Sequence, residues 1–108
     1  MSLSEIKTVA STLGALAVTP ATLTSSIRTS SAVVSDREAV KGALFFADEF
    51  RQLVEPACGA ALAVVSEQEL RQRYLSDARY KNVVVIVCGG SAVSLDLLNK
   101  WRRDFDVI

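Results

Sequence analysis

Histidine is absent from this 108-residue chain. That absence removes Ser-His-Asp and Cys-His nucleophilic machinery and every histidine-ligated metal centre. Cysteine is scarce: Cys58 and Cys88 sit in apolar surroundings. Two such thiols make no disulfide framework and suit a reducing, cytoplasmic compartment. No Cys/His cluster has zinc spacing, and no carboxylate-rich loop has the pattern of a calcium site. Net charge is zero, and no basic stripe offers itself to nucleic acid or to an anionic membrane. No apolar run approaches the roughly 20 residues needed to cross a bilayer. The first residues also lack the charged start and long apolar stretch of a signal peptide. Aromatics make up only 6%, so a core of Ala, Val and Leu is expected, the packing that suits helices laid on a parallel sheet. The length fits one domain.

Against these absences stands one run, Val83-Val84-Val85-Ile86-Val87-Cys88-Gly89-Gly90-Ser91. Five consecutive branched apolar residues predict a strand buried on both faces. It opens into a thiol, two glycines and a hydroxyl, and open α/β sheets bind ligands at such carboxyl ends of strands.

The remaining pattern alternates. Ser2 and Glu5 fit a capping box, and Ile6, Val9, Ala10 and Leu13 form a helical stripe, predicting a helix over 2–14 that stops at Gly14. Residues 15–18 read as a short strand. Pro20, capped by Thr19, starts a marginal helix to about Arg28, followed by a strand at 32–34. Ser35 and Glu38 form a second capping box before a helix to about Arg51, with Val40, Ala43, Leu44 and Ala47 on its apolar face. Ala57 to Val65 is small and apolar throughout, predicting a helix buried all round. A short helix around Gln68–Tyr74, the strand at 82–88 and a last helix from about Ser94 complete the series, the last with Leu95, Leu98, Trp101 and Phe105 inward. Lys100 to Arg103 then oppose the dipole at that helix's end. Alternation of this kind predicts an α/β fold: part of a three-layer α/β/α parallel sheet, with 1–108 as one segment of a larger domain.

Two constellations could carry chemistry. At Cys88-Gly89-Gly90-Ser91, glycines permit close backbone approach to a flat ligand, and the following helix aims its amides at the loop. A plain tight turn with a buried thiol fits the same residues. Glu55, between an apolar stretch and an apolar helix, either faces a polar cavity or merely complements a helix dipole. Cys58 and Gly59 read as close helix packing. Lys7, Lys41, Lys81 and Lys100 all fall on solvated faces, so none is expected as an activated amine.

In order, SLSEIKTVASTLGA at 2–15, VSDREAV at 34–40, LVEPACGAALAVV at 53–65 and VVVIVCGGSAVSLDLL at 83–98 resemble the C-terminal part of L-serine/L-threonine dehydratases. These are pyridoxal-phosphate ammonia-lyases with the tryptophan-synthase-β-like fold, fold type II. The resemblance implies that Cys88 meets the pyridine nitrogen of pyridoxal 5'-phosphate and that Gly89 and Gly90 let the backbone pass beside the ring. It places Glu55 near the same end of the cofactor, behind the first contacts. It gives the main-chain carbonyls of Leu13 and Ala15 to a monovalent cation, usually potassium. A neutral thiol at Cys88 favours an unprotonated ring, which suits elimination of water over transamination. The complete enzyme would turn L-serine into pyruvate, or L-threonine into 2-oxobutanoate, with release of ammonia, and would be a homodimer.

The family's Schiff-base lysine motif, Ser-x-Lys-x-Arg-Gly, and its glycine-run phosphate loop do not occur in these 108 residues. The chain therefore reads as a portion of the cofactor domain with no catalytic residue of its own, inactive by itself. Alternative readings are a non-catalytic α/β module that pairs with another chain, a serine racemase-like member of the same fold, and a small anion-binding domain using 88–94.

Overall fold

Two glycines bring a pair of helices into close approach. A Cβ placed on Gly42 would lie 2.2 Å from the carbonyl oxygen of Gly59, and one on Gly59 would lie 1.9 Å from that of Ala39. Neither distance is tolerable for carbon and oxygen, so the two helices that carry these residues cross backbone to backbone. The structure is a computed structural model and describes residues 4–17, 19–24 and 30–108. Its helices are α1 (Pro20–Thr24), α2 (Asp36–Phe50), α3 (Pro56–Ser66), α4 (Gln68–Leu75) and α5 (Leu95–Asp104), preceded by a 3-10 turn at Ser11–Leu13.

Helix α2 starts where the capping box requires. The Glu38 amide donates to the Ser35 hydroxyl at 3.2 Å, and the Ser35 amide donates back to Glu38 Oε2 at 2.6 Å. The helix ends at Arg51, a left-handed cap at φ 60°. Pro56 begins α3 at a position where its missing amide proton costs nothing. Around the α2–α3 crossing sit Val40, Ala43, Leu44, Val54, Cys58 and Leu62, all buried. Leu98 of α5 joins them, and the α5 end is tied back to α2. There Arg37 donates to the carbonyls of Phe105 and Asp106, both at 3.1 Å, and Arg102 pairs with Asp48 at 3.2 Å. Lys41 bridges α2 to the α3–α4 junction through Glu67 at 2.6 Å.

Several expectations are corrected. The helix predicted over 2–14 is absent over residues 4–10, and only the 3-10 turn forms (Ser2 lies outside the described residues). A long-range contact wins over local periodicity: Asp36, at the start of α2, accepts from the Thr8 hydroxyl and, at 3.2 Å, from the Val9 amide. The Thr8 hydroxyl accepts in turn from the Ala10 amide at 3.1 Å, which bends the chain away from a helix. Helix α1 ends at Thr24, and the rest of its expected span, 25–28, lies outside the described residues.

No β-ladder forms among the described residues; Ala17 carries an isolated bridge. The run at 83–87 nonetheless keeps a period of two. Val85 and Val87 pack against the core, while Val84 is 83% and Ile86 73% exposed. The strand reading's claim of burial on both faces is therefore corrected to one face. The same correction applies to α3, where Ala61 is exposed, and to Leu95, exposed at the first position of α5. The molecule measures 42 × 38 × 22 Å.

Two predictions follow from the packing and the cap. Gly42→Ala and Gly59→Ala should each destabilise the chain by roughly 1–3 kcal/mol or more in urea denaturation; a loss below about 0.5 kcal/mol for both would show that the helices can part freely. At Glu38, the Ser35 amide and then the Ser35 hydroxyl hold the carboxyl below its usual value of 4.5. A depressed folded-state pKa adds stability that is fully present above the unfolded-state value and is lost as pH falls through the folded one. Ser35→Ala should therefore cost about 0.5–2 kcal/mol at neutral pH, with the gap to the parent narrowing in acid. A gap independent of pH would show that the carboxylate takes no part.

Candidate functional site

Glu55 precedes α3 as its N-cap, yet its side chain makes no capping bond. The carboxylate turns aside, and Oε2 accepts from the Thr12 hydroxyl at 2.8 Å. This bond joins the 3-10 turn to the start of α3 across 43 positions of sequence. The Glu55 amide donates to the carbonyl of Gly89 at 3.0 Å. One turn on, Cys58 Sγ donates to the same oxygen at 3.5 Å. A single carbonyl thus accepts from two donors at the start of α3, and the Cys88–Gly90 segment takes its orientation from them.

The three elements enclose a hollow of about 520 Å³ lined by Thr12, Glu55, Ala57, Cys88, Gly89 and Ser91, among others. Its floor is the N-terminal turn of α3, its wall the 86–91 run and its far lip the 3-10 turn. Most of the lining is apolar, with a carboxylate, an exposed thiol and two hydroxyls at the edges. That composition suits a flat, largely apolar ligand held by a few polar groups.

The two glycines of the loop differ in what they do. A Cβ on Gly89 would meet nothing within 4 Å, so this position opens onto the hollow, and its φ of +153° is one that L side chains rarely adopt. A Cβ on Gly90 would lie 2.1 Å from the carbonyl oxygen of Leu53. Gly90 is therefore demanded by packing against the chain ahead of Glu55, whatever lies in the hollow. Beyond the loop, the Ser94 hydroxyl caps α5 by accepting from the Leu97 amide at 3.2 Å, so one of the amides aimed at the loop is already bonded.

Of the residues singled out in the sequence, Glu55, Cys88, Gly89 and Gly90 meet in this hollow. Leu13 lines it too, but also a second hollow of about 290 Å³ together with Ala15, Thr8 and Asp36. Ala15 belongs to that second space alone of the two. Cys58 is buried and Gly59 lies at the helix crossing, as close packing requires. Among the described residues no group of three or more acidic or cysteine side chains converges as a metal site. Lys7, Lys41 and Lys100 are ion-paired to Glu5, Glu67 and Asp104. Thr12 is the site residue that sequence reasoning missed, because its partner lies far along the chain and nothing local marks the pair.

No family model matches the chain. Individual proteins do. It is 43% identical over 112 aligned positions to a serine dehydratase-like protein of Rattus norvegicus, covering 98% of this chain and 34% of that protein. It is also 43% identical over 76 positions to the L-serine dehydratase/L-threonine deaminase of Homo sapiens, covering 68% of this chain and 23% of the human protein. The solved structure of an L-serine ammonia-lyase from the fungus Rhizomucor miehei superposes with a TM-score of 0.83 at 33% identity, over 96% of this chain and 34% of that one. The match spans about a third of the rat and fungal proteins and under a quarter of the human one. Over the segment it spans, the chain is similar in sequence and in backbone to serine dehydratases.

Proposed function

We propose that this chain supplies one wall of a pyridoxal-phosphate site used to dehydrate L-serine or L-threonine. The observation that carries the reading is the hollow where Cys88, Gly89 and Glu55 converge on the carboxyl end of the 83–87 run. The residues fit such a cofactor. Gly89 leaves open space where a ring face would lie, the wall is apolar, and Cys88 is exposed at the edge. Cys88 would face the pyridine nitrogen, and a neutral thiol there adds no negative charge to hold a proton on the ring. When bound, the cofactor supplies an electron sink for loss of the α-proton and of the β-hydroxyl.

This chain's own residues orient and exclude. The Gly89 carbonyl, fixed by Glu55 and Cys58, sets the angle at which Cys88 meets the site. Val85 and Val87 anchor the wall to the core. Glu55, held by Thr12, would stand behind the first contacts at the same end of the cofactor. The main-chain carbonyls of Leu13, at the end of the 3-10 turn, and of Ala15, just after it, would ligate a monovalent cation such as potassium. In the finer reading, the 83–87 run becomes one strand of a parallel sheet in the complete large domain. That enzyme is cytoplasmic and homodimeric.

The lysine and the phosphate cradle do not come from these 108 residues. Incubated alone with pyridoxal phosphate and L-serine, the chain should yield no pyruvate, and borohydride should trap no adduct on one specific lysine; either product would overturn the division of labour. Substituted for the matching third of the Rhizomucor enzyme, the chain should restore pyruvate formation from serine. In that chimera Cys88→Asp should lower elimination at least tenfold and raise transamination, since a carboxylate keeps the ring protonated. Unchanged elimination with Asp at this position would remove Cys88 from its assigned place.

A further inference from the structure

The 3-10 turn at Ser11–Leu13 has no buried residue, so no core side chain anchors it. Its two backbone bonds run from the Leu13 amide to Ala10 at 3.0 Å and from the Gly14 amide to Ser11 at 3.2 Å, and both stay local. Among the described residues, the one hydrogen bond tying the turn to the rest of the molecule is that of the Thr12 hydroxyl to Glu55 Oε2 at 2.8 Å. A hydroxyl on a carboxylate makes a charge-assisted bond, stronger than a neutral one. The carboxylate has a second seat available. Glu55 is the N-cap of α3, and the positive end of a helix attracts negative charge. Pro56 has no amide proton, so the first donors there are the amides of Ala57 and Cys58. The Glu55 side chain nonetheless makes no capping bond. Its main chain is committed separately, to the Gly89 carbonyl at 3.0 Å. One residue thus serves two elements: its backbone holds the wall of the hollow, and its side chain holds the lip.

We infer that Thr12 and Glu55 form a latch that fixes the lip of the hollow, with Thr12 as a positioning residue that decides where the Glu55 carboxylate sits. With the bond made, the carboxylate stays at the edge of the hollow and the turn is held against the start of α3. With the bond broken, the carboxylate turns to the amides of α3 and the turn is released. Release leaves no carboxylate stranded, because the second seat supplies donors and a favourable dipole. The Glu55 amide and the Cys58 thiol keep the Gly89 carbonyl in place in both arrangements. Opening therefore moves the lip, with Thr12 and Leu13, against a fixed wall. The ligand that would pass it is the flat, largely apolar one that the lining suits. That the latch guards a pyridoxal-phosphate site rests on the proposed function; that it holds the turn does not.

Amide hydrogen exchange of the 108-residue chain, resolved residue by residue by NMR, tests the latch. Thr12→Val keeps the shape of the side chain and removes the hydroxyl. It should speed exchange of the Leu13 and Gly14 amides about fivefold or more and leave the Glu55 amide within about twofold of the parent. Thr12→Ser, which keeps the hydroxyl, should restore the parent rates. Glu55→Ala should match Thr12→Val at the turn, and the two together should add nothing further there. Unchanged turn amides in Thr12→Val, an equal acceleration at the Glu55 amide, or a Thr12→Ser chain that exchanges as fast as Thr12→Val would overturn the inference. In the chimera with the Rhizomucor enzyme, Thr12→Val should shorten the residence of bound pyridoxal phosphate about threefold or more, read from its absorbance after dilution. Unchanged residence beside a faster-exchanging turn would overturn the guarding role. A chimera that never takes up the cofactor would count against the proposed function, and the exchange rates would still decide the latch.

Discussion

The crossing of α2 and α3 at Gly42 and Gly59 governs everything downstream of it. Because each glycine presses on the other helix's backbone, α3 can occupy one depth and one angle. That placement sets Glu55 and Cys58, whose amide and thiol together hold the Gly89 carbonyl. The loop bearing Cys88 is thus positioned by a contact between two other elements and not by its own turn. Gly90 repeats the device on a smaller scale against Leu53. Three close backbone approaches therefore connect the core to the rim of the hollow. Each would be lost to a single methyl group, a steeper dependence than burial of any one apolar side chain imposes.

Much of this was legible in the order of residues. The Ser35 capping box declared the start of α2, and Pro56 declared that of α3. The convergence of Glu55, Cys88 and the glycines came from recognising a family pattern, since spacing alone allowed a plain turn. What misled were long-range forces with no local signature. The stripe of Ile6, Val9, Ala10 and Leu13 is a fair helical pattern, but Asp36 captures the Thr8 hydroxyl and Val9 amide, and the segment straightens along the start of α2. Thr12 is the same lesson at the site: a hydroxyl among polar neighbours becomes a positioning group only through a carboxylate 43 residues away.

A different kind of error concerns the second face. The run Val83 to Val87 and the helix Ala57 to Val65 both read as apolar on every side, which predicts burial on every side. Inside the structure each is covered on one side and bare on the other. Composition records the environment for which a segment is suited, while exposure records the environment it has here. The mismatch at Ile86, Val84 and Ala61 is information that neither source holds alone.

The structure stores its stability unevenly. Free energies of local opening rise with buried contacts and internal hydrogen bonds, and here those gather at the α2–α3 crossing. The run from Val83 to Ser91 has helices on one side and water on the other, which places it at the compliant end of that scale. The Gly89 carbonyl joins the compliant end to the rigid one. A wall mounted in this way is held at one point, so the orientation of Cys88 is only as firm as the two bonds to the Gly89 carbonyl.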